Sequence, residues 1–220
     1  MPKAAIFDLD GTLLDSVDLH ALAWQEAMLK FGHDASFEQV RGQIGKGGDK
    51  LILVFLSPDE QRDHGKELEE WRGNRFKTEY LPLVRPFSAV PHLLRCARDA
   101  GLQIAIASSA KKDEVEKYLD IAGIADLVDL KTSSDDVEES KPAPDIFEIV
   151  LRKLKLEGSD TVAIGDTPYD AEAAGKVGIA TIGVLCGGFA ESSLRQAGCV
   201  EVYPGPAALL SLFERSLLRK

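Results

Sequence analysis

The stretch that most constrains this chain is Lys3-Ala4-Ala5-Ile6-Phe7, which runs straight into Asp8-Leu9-Asp10-Gly11-Thr12. An apolar run of strand length that closes on acids puts them at the C-terminal tip of a parallel strand, where open α/β sheets bind ligands. Strand side chains repeat every two residues, so Asp8 and Asp10 share a side. Gly11 lets the backbone turn tightly beside a bound anion. Two carboxylates this close resist ionising unless positive charge offsets them, which points to a hard divalent metal, Mg²⁺ foremost. The same residues also read as a surface turn. Later stretches decide between the two.

The next segment, residues 17–31, carries apolar residues at helical spacing and stops at Gly32. From there to Pro86 only helix signals occur. Ser57-Pro58-Asp59-Glu60 is a capping box with proline at the first helical position, opening a helix that runs towards Tyr80. Beyond Pro86 helices and strands alternate. Helix is expected over 88–100, 112–122, from Pro144 and over 206–218. Strand is expected over 102–107, 127–131, 161–165, 179–184 and 200–203. Such alternation calls for right-handed crossovers. The fold class is therefore α/β: a doubly wound parallel Rossmann-like core of residues 1–15 and 85–220, with an inserted helical cap of residues 16–84.

At 220 residues the chain can bury a full core. Its formal charge of −10 argues against nucleic acid or an anionic membrane as partner. An anionic substrate then needs locally placed cations. Cys96, Cys186 and Cys199 have no metal-ligand spacing and read as thiols of a reducing cytosol. No signal peptide precedes the first strand and no apolar run approaches membrane-spanning length, so a cytoplasmic protein, monomer or homodimer, is expected.

Three further stretches resolve the ambiguity of the first. Gly165-Asp166-Thr167-Pro168-Tyr169-Asp170 again ends an apolar strand on a carboxylate. Beside the first strand, Asp166 would face Asp8 across a metal, with Asp170 near the start of the next helix supporting the site through water. Asp170 also reads as a first-turn acid favoured by the helix dipole. Ser108, followed by Ser109, closes the 102–107 strand, where hydroxyl and backbone N–H groups can hold phosphoryl oxygens. In Ser140-Lys141-Pro142-Ala143-Pro144 the prolines stiffen the loop that presents the Lys141 ammonium.

Together these four stretches resemble the haloacid dehalogenase superfamily, whose members are mostly Mg²⁺-dependent phosphatases and phosphomutases. Asp8-Leu9-Asp10-Gly11-Thr12, Ser108, Lys141 and Gly165-Asp166-Thr167-x-x-Asp170 look like its four motifs in order, and the helical insert resembles its type 1 cap. The resemblance implies Asp8 as nucleophile, forming an aspartyl-phosphate that water hydrolyses. It implies Asp10 as general acid and then base, with a carboxyl raised towards working pH. Mg²⁺ would be held by Asp8, Asp10 (through its backbone carbonyl), Asp166 and Asp170, while Ser108 and Lys141 carry charge on the transferred group. Thr12 and Ser109 join the phosphate-binding candidates. Arg41, Lys46 and Arg72 of the cap are candidates for gripping the leaving group of a small phosphorylated metabolite, although each also reads as an ordinary solvated charge.

Within this resemblance the acid at Asp10 favours phosphoryl transfer over dehalogenation. His20 sits where mutases of the β-phosphoglucomutase group have a hinge histidine, and Arg72 could match their cap cation. Those mutases tend to have adjacent Glu-Asp at the fourth motif, whereas this chain has Asp166-Thr167 with its second acid at Asp170, as in phosphoglycolate phosphatase-like members. A phosphatase is the expectation and a phosphomutase the alternative. A phospho-acceptor signalling module is the non-enzymatic rival, opposed by the helical insert and by Asp10.

Overall fold

The computed structural model describes residues 1–220. The chain opens on β1 (Ala4–Phe7) and a two-residue strand, β2 (Leu14–Asp15). It then enters a helical region: α1 (Val17–Lys30), α2 (Phe37–Arg41), α3 (Gly48–Leu51), α4 (Pro58–Glu60) and α5 (Lys66–Arg75). It leaves through β3 (Arg85–Pro86) into α6 (Val90–Asp99), β4 (Gln103–Ala107), α7 (Lys112–Ala122) and β5 (Leu130–Thr132). There follow α8 (Asp145–Leu154), β6 (Thr161–Gly165), α9 (Pro168–Lys176), β7 (Ala180–Val184), α10 (Glu191–Gln196), β8 (Cys199–Tyr203) and α11 (Pro206–Ser211).

Six strands form one parallel sheet in the order β5-β4-β1-β6-β7-β8. β1 lies between β4 and β6, with Phe7 in register with both Ile106 and Ile164, so the three strand tips end level. Strand order runs one way from β1 to β4 and the other way to β6, which makes the tip of β1 the switch point where such sheets take ligands. The buried residues of β1 serve both faces. Ala5 and Phe7 join the cluster built with α6 and α7, and Ile6 joins that built with α8 and α9. A strand buried on both sides must be apolar throughout, as this one is.

Residues 17–83 contain no strand. Val17, Trp24, Met28, Leu51, Ile52 and Leu68 pack into an apolar cluster separate from those of the sheet. The Ser57 capping box forms as its sequence dictates, and the helical path then continues through π-helical turns at Gln61–Gly65 and Phe76–Tyr80 on either side of α5. The two connections between the helical region and the sheet meet: Leu14 pairs with Pro86 and Asp15 with Arg85 in an antiparallel ribbon.

Three expectations shift. α6 begins at Val90, not at residue 88, because Ala89 adopts a left-handed φ of 69° and turns the chain first. The last helix stops at Ser211 and gives way to a 3₁₀ turn over Phe213–Arg215. Its apolar pattern runs on because Phe213 and Leu218 are still buried. The strand expected over 127–131 forms at Leu130–Thr132, after a 3₁₀ turn over Ala125–Leu127. No helix is long and apolar enough to cross a membrane.

Ile6→Ala, at a fully buried position of the central strand, should cost about 2–5 kcal/mol. Ser57→Ala removes one exposed cap and should cost about 1 kcal/mol. Urea titration of the two variants checks that order, and a Ser57→Ala loss as large as that of Ile6→Ala would contradict it.

Candidate active site

Asp8 follows β1, Asp166 follows β6, Asp170 lies in the first turn of α9, and Lys141 comes from the loop before α8. Folding brings all four together beneath the level strand tips. The Lys141 ammonium is buried and donates to Asp8 Oδ1, Asp170 Oδ1 and the carbonyl of Ala107, each at 2.7 Å. Asp170 also serves α9 as a capping-box acid, its Oδ2 accepting from the Thr167 N–H at 3.1 Å and the Thr167 hydroxyl at 2.7 Å. One side chain thus both caps α9 and pairs with Lys141.

Asp166 is completely buried. Its Oδ1 accepts from Thr12 Oγ1 at 3.0 Å, while its Oδ2 has no partner. The backbones of Gly11 and Gly187 close over it: a Cβ would fall 2.3 Å from Oδ2 at Gly11, where φ is +78°, and 1.7 Å from it at Gly187. Only glycine fits at either position. Thr12 is itself fully buried and holds this aspartate, so the structure does not place it on the cavity.

Carboxylate oxygens of Asp8, Asp166 and Asp170 can lie within 4.8 Å of one another. Burial, then the neighbouring carboxylates, raise Asp8 to about 7 against the pull of Lys141, and burial drives Asp166 well above the ordinary carboxylate range. Three buried acids with one ammonium, and a buried carboxylate oxygen left without a partner, are the surroundings a hard oxygen-seeking cation fits.

Asp10 behaves differently. Its Oδ1 accepts from Ser16 Oγ at 2.5 Å and meets His20 Nε2 at 2.9 Å, so its carboxylate stays outside the acidic trio. Burial pushes its carboxyl up, but His20 and the hydrogen bonds from His20, Ser16 and Tyr118 outweigh burial and hold it below the ordinary value. This corrects the expectation of a raised Asp10. The cause is α1, which sets the His20 ring against it. His20 is itself fixed from several sides, by the Tyr118 hydroxyl at 2.7 Å, by the Arg72 guanidinium at Nδ1, and by Phe76 stacked at 3.9 Å. Ser16 and Tyr118 carry no motif, and Tyr118 is visible in sequence only as a partner of Glu114 one helical turn earlier.

A cavity of about 560 Å³ lies over Asp8 and Asp10, between the sheet and the helical region. Lys46, Arg72, His20 and Ser109 line it; Ser108 and Arg41 do not. Ser108 is fully buried, its Oγ accepting from the Ala110 N–H at 3.1 Å, whereas the hydroxyl of Ser109 has no partner. Arg41 instead ties the helical region to the sheet, donating to Asp18 at 2.6 Å and to the carbonyl of Gly187 at 3.1 Å. Lys46 donates to Gln43 at 2.6 Å and sits 4.9 Å from the Tyr169 ring centre.

Comparison with known proteins agrees with this geometry. The haloacid dehalogenase-like hydrolase profile matches residues 5–184. A phosphoglycolate phosphatase of Aquifex aeolicus is 30% identical over 190 residues, covering 84% of this chain and 85% of that protein. One of Vibrio parahaemolyticus is 31% identical over 195 residues, covering 84% of each. Among solved structures, a hydrolase from Pseudomonas syringae superposes with a TM-score of 0.89 at 25% identity, over 98% of this chain and 99% of that one. CbbY from Rhodobacter sphaeroides, in complex with phosphate, gives a TM-score of 0.71 at 25% identity, over 95% and 96%. The chain belongs to the haloacid dehalogenase-like hydrolase family.

The raised Asp8 carries a pH signature. In the metal-free protein the unfolded chain releases this proton near 3.8, while the folded chain keeps it to about 7. Between those values the native state binds the extra proton, so stability falls as pH rises. Asp8→Asn should therefore stabilise the metal-free protein more at about pH 8 than at about pH 5, by on the order of 3 kcal/mol. Added Mg²⁺ should restore wild-type stability at the higher pH. Thermal unfolding with and without a chelator reads both effects, and equal stabilisation at the two pH values would contradict the assignment.

Proposed function

We propose that this enzyme, a phosphatase of the haloacid dehalogenase-like family, hydrolyses a small phosphomonoester through an aspartyl-phosphate on Asp8. The reading is carried by one arrangement: Asp8 and Asp10 line one cavity, and Asp8 is paired with Lys141 and grouped with the carboxylates of Asp166 and Asp170. In the first step an Asp8 oxygen forms a bond to phosphorus while the bond to the leaving oxygen breaks, the Asp10 carboxyl supplying the departing alkoxide with a proton. In the second, a water oxygen bonds to phosphorus as the bond from phosphorus to the Asp8 oxygen breaks, freeing phosphate and the Asp8 carboxylate, while Asp10 takes the water's proton. Held low in the protein alone, Asp10 is suited to the second step as base. A phosphate group's negative charge beside it raises the carboxyl for the first. Lys141 holds the Asp8 carboxylate and offers charge to the transferred oxygens. Asp8, Asp166 and Asp170 would hold Mg²⁺, which would supply positive charge to offset repulsion between these acids and the incoming phosphate.

Residues 16–84 act as the cap, hinged at the ribbon of β2 and β3 and closing the cavity against water. Three unpaired cysteines fit a reducing, cytoplasmic setting. A phosphomutase is the second reading, favoured by the contact of His20 with Asp10. It differs in product, the phosphoryl group moving to another hydroxyl instead of appearing as free phosphate.

Phosphate release over a panel of sugar phosphates, phosphoglycolate, nucleotides and p-nitrophenyl phosphate tests the proposal. Release should require Mg²⁺, stop with a chelator and vanish in Asp8→Asn. Lys141→Ala should lose about 2–4 kcal/mol of transition-state stabilisation, roughly thirty- to a thousandfold in rate. Release that survives Asp8→Asn would sink the covalent mechanism, and transfer without free phosphate would favour the mutase.

A further inference from the structure

Only four of the 23 residues lining the cavity are hydrophobic. Beyond Asp8 and Asp10 it is lined by five acids, Asp49, Glu69, Glu70, Glu114 and Glu138, against four bases. Three of those bases are engaged elsewhere: Lys77 with Asp113 at 2.8 Å, Lys46 with Gln43, and Arg72 with His20. Lys111 makes no ion pair or side-chain hydrogen bond. Of the acids, Glu114 accepts from Tyr118 at 3.0 Å, whereas Glu69 has no hydrogen bond or ion pair.

Glu69 is half-buried and seated by its surroundings. A Cβ on Gly48 would fall 2.7 Å from Glu69 Oε1 and 3.3 Å from the Trp24 ring, so glycine at 48 makes room for this carboxylate on the cavity wall. The groups with hydrogen-bonding capacity to spare are of both kinds. Glu69 can accept, while the Lys111 ammonium, the Ser109 hydroxyl and the buried Arg72 Nε–H can donate.

Resting on the phosphatase reading above, we infer that this cavity selects an uncharged polyhydroxylated leaving group, of the alditol or sugar kind, and that Glu69 is the residue that rejects a carboxylate there. A hydroxyl both donates and accepts, so a polyol can satisfy Glu69 and Lys111 together. A carboxylate only accepts. It would leave Glu69 without a donor and bring a second negative charge against it inside a half-enclosed site, where such repulsion is poorly screened. Size agrees with charge: a two-carbon acid would fill a small part of about 560 Å³. The phosphoglycolate phosphatases to which this chain is similar set the contrast, since their named substrate carries a carboxylate.

The test uses the Mg²⁺-loaded enzyme and a matched pair, a six-carbon alditol phosphate and the aldonate phosphate of the same skeleton, which differ only in a terminal hydroxymethyl or carboxylate. Wild type should favour the alditol ester in kcat/KM by about tenfold or more. Glu69→Gln should narrow the preference by raising the aldonate rate, and Glu69→Lys should reverse it. Far-ultraviolet circular dichroism and the thermal unfolding midpoint of both variants, compared with wild type, report folding. Asp49→Asn, at an exposed acid of the same cavity, is the second variant should Glu69→Lys fail to fold, and it should narrow the preference less than Glu69→Gln does. Equal rates on the pair in wild type, or an unchanged ratio in Glu69→Gln, would overturn the inference while leaving the phosphatase intact. Failure of every ester, p-nitrophenyl phosphate included, would instead overturn the phosphatase reading.

Discussion

One buried ammonium organises the site. Lys141 donates to Asp8, to Asp170 and to the end of β4 through Ala107, so it ties the loop before α8 to the tip of β1, to α9 and to β4. An ammonium with three protein acceptors has its donors satisfied, which is the condition under which a buried charge is tolerable. Its carboxylate partners raise it above its ordinary value against the effect of burial. The acids are not so balanced. One positive charge serves Asp8 and Asp170 directly and leaves Asp166 with Thr12 on one oxygen and nothing on the other. The centre therefore holds more carboxyl groups than its one ammonium can pair, and the glycine ceiling at Gly11 and Gly187 leaves no side chain to fill the gap.

What the sequence could say about this centre depended on distance along the chain. Asp8 and Asp166 are legible because each ends an apolar run, and a parallel sheet with β1 inside it puts such ends side by side. Lys141 is legible because two prolines mark its loop as held. Thr12 belongs to the same local pattern as Asp8, yet its partner lies 154 residues away, and nothing in the pattern says that the hydroxyl turns inward to Asp166. Arg41 and Lys46 look alike in sequence as cap cations, but only packing distinguishes the one that bridges to Gly187 from the one that faces the cavity. The lowered Asp10 was illegible for a related reason: it is set by His20 and Tyr118, which meet only when α1 and α7 converge.

The sheet was more readable than the helical region. Buried parallel strands declare themselves by composition, and their order follows from which tips must meet. The helical region mixes short helices, π-helical turns and glycine-rich loop, where periodicity is too brief to register. Its glycines become meaningful only in contact. A Cβ at Gly45 would fall 2.5 Å from Thr167, and one at Gly47 would fall 2.0 Å from Ser140. Both therefore mark where the loop before α3 is pressed against the two loops that hold the acids and Lys141.

That contact bears on how the proposed cap could move. Near the hinge the seam is apolar: Ala23, Phe76, Leu81 and Val84 belong to the same cluster as Leu13, Leu14 and Tyr118. Far from the hinge it is polar, with Tyr169 donating to the carbonyl of Gly42 at 3.0 Å, Lys50 paired with Glu139 at 2.7 Å, and Arg41 on Gly187. The exposed Lys50–Glu139 pair is worth roughly 0–1 kcal/mol, because water replaces it readily, and the other two contacts are half-buried single hydrogen bonds. Apolar contact resists separation in proportion to area. A seam graded in this way would let the proposed cap open at its outer edge while it stays packed at the ribbon of β2 and β3. Tyr169 sits between Asp166 and Asp170 in the chain, and its hydroxyl reaches the cap. On the proposed mechanism, ordering of the acids would also set the outer edge of the seam through Tyr169, and so would couple chemistry at Asp8 to closure of the cap.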